Sequence, residues 1–370
     1  MDRNKHNLLK AGVTQNMNNP NQQYGMRYGS HPSLLTANLA LIAFLLLQSL
    51  VSSGFSLLVD IFNISDTSLL YRFLSSASVQ LLCLLPCAFI FTLSGRRRPA
   101  AVLRLRRNIN FIQVLFLCVI GFALIYLANG LNNLLMLWLE SLGYVPMSFN
   151  SYEPDNIWGL AVCLISTAVM PAICEEFFFR GEIMRSYERF GPGAAVLVSA
   201  MLFGLMHGNI EQAFFAFICG LVLGACVMTT GSIWAGVVVH FFNNAYSLVL
   251  SYVTRNTPAQ SITVEEYLYS NLIYILFGAV LLACAGIGFI RYTRHRNLRT
   301  TGSPLPDELA PDYSPLDESM DYQTGQFFPT SAAGRNSGAA YVLLAAFVLI
   351  EALGITILTL FQMGAIPWLI

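Results

Sequence analysis

Charge is scarce in this chain. Of its 370 residues only 11% are Asp, Glu, Lys or Arg, against 55% hydrophobic, where a soluble domain carries about a quarter charged residues. That shortage excludes an ordinary soluble domain and, with a mean hydropathy of +0.59, points to a polytopic membrane protein. An excess of either sign is missing too: 20 basic residues balance 20 acidic ones, so no nucleic-acid or acidic partner is implied by net charge. Paired cysteines are lacking. The eight that occur fall singly within apolar segments and read as small apolar packers, not as disulfides or zinc knuckles. Histidine is rarer still, five in all, and no His-Glu-x-x-His occurs, which excludes a zincin helix. No paired intramembrane Asp, no Ser/Lys nucleophile pair and no internal repeat stands out. Residues 1–33 are polar and rich in Asn and Gln without an apolar core, so no cleavable signal peptide is expected.

What the chain does have is long apolar runs. They lie near 34–59, 74–94, 111–137, 157–183, 193–209, 211–229, 232–253, 271–290 and 339–362, and crossing the hydrocarbon takes about 20 residues. The expected fold is therefore all-α, a polytopic integral membrane bundle of about 8–9 transmembrane helices, with the fifth run short. The expected organisation is a polar cytoplasmic tail at 1–33, a transmembrane domain at 34–290 and a basic, then Pro/Ser/acid-rich disordered linker at 291–338. An accessory C-terminal transmembrane helix follows at 339–370.

Positive charge sets the expected orientation. "GRRRPAAVLRLRR" follows the second run, Arg185 and Arg189 follow the fourth, and "RYTRHRNLR" follows the eighth. With the N-terminus in the cytoplasm, strict alternation leaves only Arg72 and Arg255 of the 20 Lys and Arg outside. The arginine-rich stretch 96–107 is expected to set topology and to meet anionic lipid.

Ionisable groups inside a span cost about 2.5–3.5 kcal/mol each on insertion scales, so each is a functional candidate. The fourth run ends in "CEEFFFR", carrying Glu175, Glu176 and Arg180. Glu176 and Arg180 share a helix face and can pair; Glu175 sits about 100° away, free to face a cavity. Two histidines, His207 in "FGLMH" and His240 in "HFFNN", lie in or beside spans, while His6, His31 and His295 do not. His240 and Asn244 share a face, whereas Asn243 points elsewhere. Alone, a Glu–Arg pair reads as an interfacial salt bridge and a lone His as an interhelical contact. Two carboxylates, two histidines and an amide on neighbouring helices read as a site. By helix rise His207 lies ~21 Å along its helix and His240 ~12 Å along its own, so they meet only if helix ends project unequally. Gly220 and Gly224 form a small-residue packing face.

The ordered trio Glu-Glu-x-x-x-Arg, Phe-x-x-x-His and His-x-x-x-Asn, spanning Ala161 to Leu248, resembles the CPBP (CAAX-processing and bacteriocin-processing, or Abi) intramembrane proteases. That family is also known as the type II CAAX endopeptidases and includes lysostaphin-resistance-like proteins. The resemblance implies a protease core at about 157–253. It implies Glu175 as the base activating water, Glu176 and Arg180 as its supporting ion pair, His207 holding the water, and His240 with Asn244 stabilising the oxyanion. It leaves open a Zn2+ ion, with Glu175, His207 and His240 as ligands, or no cofactor at all. The function so implied is an intramembrane endopeptidase acting on membrane-associated proteins or peptides, with the lipid bilayer and no nucleic acid as partner. The Asn-rich ends and short loops point to a bacterial cell membrane, with the active site toward the cytoplasmic face. Two alternatives stay open: a non-catalytic immunity or scaffold protein of the same fold, and a proton-coupled transporter using the Glu/His set as a relay.

Overall fold

The structure, a computed structural model, describes residues 32–94, 99–105, 107–146, 154–257, 263–301, 320–321, 326–327 and 331–365. Polar caps mark where each helix begins. Ser33 accepts from the Thr36 amide to start α1 (Leu34–Phe62), which stops where Asn63 turns left-handed at φ 48°. Helix α2 runs from Leu69–Ala77 through a π-helical stretch at Ser78–Leu84 into Leu85–Ser94. A capping box of Asn110 and Gln113 opens α3 (Phe111–Ser141). Asn156 caps α4 (Ile157–Phe190), which carries two further π-helical stretches, Ile165–Val169 and Phe177–Ile183. Then follow α5 (Pro192–Leu205), α6 (Ile210–Thr230), α7 (Ile233–Thr254), α8 (Val264–Thr301) and α9 (Ser331–Gln362).

The protein is thus a polytopic all-helical membrane bundle. Among the described residues eight helices are long and apolar enough to cross a membrane, and α5, with 14 residues, is a shorter apolar one. Apart from the helices, Met320–Asp321 pairs antiparallel with Gln326–Phe327. Most of the expected tail (1–31) and much of the expected linker lie outside the described residues. Helix α8 continues to Thr301 and α9 begins at Ser331, so helix extends past both apolar runs. Backbone hydrogen bonding needs no apolar side chains once a helix leaves the hydrocarbon.

Small residues set how closely the helices approach. A Cβ on Gly278 would lie 2.5 Å from the Leu127 amide nitrogen and 2.8 Å from the Ala123 carbonyl oxygen, so α8 presses on the backbone of α3. Gly220 brings α6 onto α5, where a Cβ would lie 2.9 Å from the Cα of Ala200. The C-terminal helix α9 docks on α1 through Asn38, whose amide donates to the Ala340 carbonyl at 2.8 Å and accepts from the Tyr187 hydroxyl at 2.8 Å.

The two ends of the bundle differ in charge. At one end Arg107 donates to Asn297 at 2.6 Å and Arg189 donates to the Ser186 carbonyl at 3.1 Å. At the other, the Tyr144 hydroxyl donates to Glu211 at 2.8 Å and the Val145 amide to the Gln362 carbonyl at 3.1 Å. The expectation that stretch 96–107 meets lipid needs correction for Arg104. It is fully buried and donates to Glu188 at 2.6 Å, and Arg185 takes the other oxygen of Glu188 at 2.9 Å. A left-handed backbone at Arg104 (φ 53°) turns the chain inward, and this charged trio closes the end of α4. Arg96, Arg97, Arg98 and Arg106 lie outside the described residues.

Gly278→Ala is expected to lower the thermal unfolding midpoint in detergent, with a cost of about 1–3 kcal/mol, because backbone atoms of α3 cannot move aside as a side chain would. Gly286→Ala on the same helix meets nothing within 4 Å and should leave the midpoint unchanged.

Candidate active site

Glu175 and Glu176 are neighbours on α4, so their side chains leave the helix about 100° apart. That angle divides their surroundings. Glu176 points into the bundle and is fully buried. Its Oε1 accepts from Arg180 at 2.9 Å and from His240 Nδ1 at 3.1 Å, while Oε2 faces Gly236, where any Cβ would collide with it. Arg180 is equally buried. Its second terminal nitrogen donates to the Gly220 carbonyl at 3.1 Å, and its guanidinium lies 4.5 Å above the Phe203 ring. One ion pair thereby ties α4 to α5, α6 and α7.

Glu175, 7% exposed, faces the other edge of the His240 ring and a cavity of about 290 Å³. The Gln80 amide of α2 donates to its Oε1 at 2.8 Å. Its Oε2 stands 3.8 Å from His240 Nε2, too far for a hydrogen bond but close enough for a water on the cavity side to reach both. Since the carboxylate of Glu176 can only accept, Nδ1 of His240 carries the hydrogen of their bond. The same reasoning applies at His207, whose Nδ1 lies 2.8 Å from the Phe203 carbonyl oxygen. In the neutral ring this leaves Nε2 of His207 as an acceptor.

The two histidines meet around Phe203. Its ring lies edge-on to His207 at 5.0 Å and to His240 at 5.9 Å. The mismatch in depth expected from helix rise is resolved by the short α5: Phe203 sits one turn before its end, and His207 follows in the connection to α6.

The amides are arranged differently from expectation. Asn244 donates to the Thr167 carbonyl at 3.0 Å. In a regular α-helix that carbonyl would receive the N–H of residue 171, which is a proline and has none. Asn244 supplies the missing donor. Asn243, discounted on angle, lines the same cavity, is 5% exposed, and its Oδ1 is buried with no hydrogen-bond partner. The cavity is wide enough for both adjacent residues to reach it.

Gln80 was also missed, although a lone amide in an apolar run is a signal of the same kind as His207. Its pairing with Glu175, 95 positions away, is not legible in one sequence. Gln80, Thr167 and Arg180 all lie on the π-helical stretches. Such stretches offset the side-chain register and free backbone carbonyls, and they cluster at functional sites.

The floor of the cavity is formed by Glu175 and His240, with the sealed Glu176–Arg180 pair beneath. Its more accessible lining residues, Ser76, Thr167, His207 and Gln212, lie toward the Tyr144–Glu211 end. The more accessible part of the cavity therefore lies away from the arginine end. The charged trio of Arg104, Arg185 and Glu188 is what closes that side.

Glu175, His207 and His240 share the cavity but do not form a metal's ligand set. Among the described residues no three His, Cys, Asp or Glu side chains are grouped as metal ligands.

Residues 157–246 match the family model described as Type II CAAX prenyl endopeptidase Rce1-like. The match begins with α4, ends within α7, and contains Glu175, Glu176, Arg180, His207, His240 and Asn244. It is consistent with the CPBP resemblance of the ordered motifs. No curated protein and no solved structure matches the chain.

Arg180→Met is expected to destabilise the protein by about 3–5 kcal/mol, since it leaves the Glu176 carboxylate buried without its cation. Arg180→Lys should recover only part of this, because a point charge cannot reach Glu176, Gly220 and the face of Phe203 together. Thermal unfolding of both variants in detergent checks the order.

Proposed function

We propose that this protein is an intramembrane endopeptidase of the CAAX-protease type that hydrolyses peptide bonds of membrane-associated proteins or peptides. One observation carries the reading: Glu175 Oε2 and His240 Nε2 stand 3.8 Å apart at the floor of a cavity that His207 and two amides also line, so that one water on the cavity side can reach both. Amide hydrolysis needs a base, a held water and donors aimed at the developing oxyanion.

Glu175 is the base. Gln80 occupies its Oε1, which leaves Oε2 to take a proton from the water between it and His240. The water's oxygen attacks the carbonyl carbon, and the proton held on Glu175 passes to the leaving amine. Nε2 of His207 accepts the water's other hydrogen and keeps a lone pair directed at the substrate. Glu176, held by Arg180, keeps Nδ1 of His240 hydrogen-bonded and so aims Nε2 at the place where the oxyanion forms, to which a proton on Nε2 is donated. Asn244 has one N–H committed to Thr167 and holds the wall at Pro171. Asn243 lines the cavity beside them, and its Oδ1, buried without a partner, is placed to accept from a peptide N–H of the substrate.

The test compares membrane proteomes of cells carrying the natural protein, Glu175→Ala, or no copy. New protein termini should appear with the natural protein alone. Identical proteomes, with His207→Ala equally silent, would sink the protease reading and leave the non-catalytic scaffold. Once a cleaved substrate is in hand, Asn243→Ala is expected to lower kcat/KM by roughly 10–100-fold, the usual cost of leaving a substrate N–H without its acceptor, with an unchanged melting midpoint. Asn244→Ala should lower the midpoint as well, because it strands the Thr167 carbonyl.

A further inference from the structure

We propose that the cavity opens on the extracytoplasmic side of the membrane, so that the protein acts on translocated segments and not on cytoplasmic tails. The inference rests on the protease reading for its substrate, but its geometry stands apart from that reading.

The direction of the cavity follows from contacts along antiparallel helices. Proceeding away from the arginine end, α4 and α7 meet first at Glu176 and His240, then at Thr167 and Asn244. Helix α2 meets α4 at Gln80 and Glu175 and then, one turn farther, where the Ser76 hydroxyl donates to the Ser166 carbonyl. Accessibility rises along the same path. Glu176 and Arg180 are fully buried, Glu175 is 7% exposed, and Gln212, at the start of α6, is exposed. The deep side ends in packed side chains: Phe178 and Phe179 are fully buried, and Arg104, Arg185 and Glu188 lie beyond them. Among the described residues these packed side chains occupy the path from the arginine side.

The charge distribution says which side is which. Chain continuity places Arg185, Arg189, Arg291, Arg294, Arg296 and Arg299 at the closed end, together with Arg104 and Arg107. At the mouth end the basic residues are Arg72 and Arg255, against Asp60, Asp66, Glu140, Asp155, Glu211, Glu265 and Glu266. Short loops rich in Arg remain in the cytoplasm. The closed floor therefore faces the cytoplasm and the mouth faces outward. A lipid-modified C-terminal tail in the cytoplasm would approach the wrong side. A membrane-anchored peptide whose scissile bond has crossed the bilayer would approach the right one.

Cysteine accessibility reads this without turnover. Gln212→Cys at the mouth and His295→Cys at the arginine end are each expressed in cells, with the parent protein as background for the native thiols. Intact cells are then treated with a membrane-impermeant maleimide. Gln212→Cys should label several-fold above the parent in intact cells, and His295→Cys should do so after permeabilisation alone. Labelling of Gln212→Cys after permeabilisation alone, or in neither condition, overturns the proposal, as does labelling of His295→Cys from outside. An inactive protein with the expected labelling would remove the protease reading and leave the orientation standing.

Discussion

The buried ion pair of Glu176 and Arg180 is the constraint around which the membrane core is arranged. Taking two charges out of water costs several kcal/mol per ion, and their attraction compensates only with good geometry and further hydrogen bonds. Each helix near the pair contributes to that compensation. Helix α7 offers His240 Nδ1, α6 offers the Gly220 carbonyl, and α5 offers the face of Phe203. Gly236 is small because the Glu176 carboxylate occupies the place of its side chain. Once these contacts are made, the remaining groups have little freedom: Glu175 must face the cavity, and His240 must present Nε2 to it.

Backbone irregularity serves the same region. Non-helical hydrogen bonding within the membrane is tolerated where protein groups satisfy the freed atoms. Here Pro171 withdraws a donor, the Ile165–Val169 stretch opens the turn, and Asn244 crosses from α7 to satisfy Thr167. An amide that motif resemblance would give to catalysis has a structural task first. Its neighbour Asn243 lines the cavity with a buried oxygen that has no hydrogen-bond partner.

The bundle is also polar along its axis. Arg104, Glu188 and Arg185 close one end, and the cavity opens toward Tyr144 and Glu211 at the other. Site access and membrane orientation are therefore one question.

The amino-acid order alone determined the helices, because long apolar runs have no other way to satisfy their backbone in lipid. It also determined the pairing of Glu176 with Arg180, since residues four apart share a face on one helix, and the ordered motifs that resemble a protease family. It did not determine Gln80 beside Glu175, Asn243 in the cavity, Arg104 in the interior, or the side on which the cavity opens. Those depend on contacts between residues far apart in the chain, and on π-helical stretches that shift side chains off the regular period. Local periodicity reports what one helix presents; only packing decides what meets it.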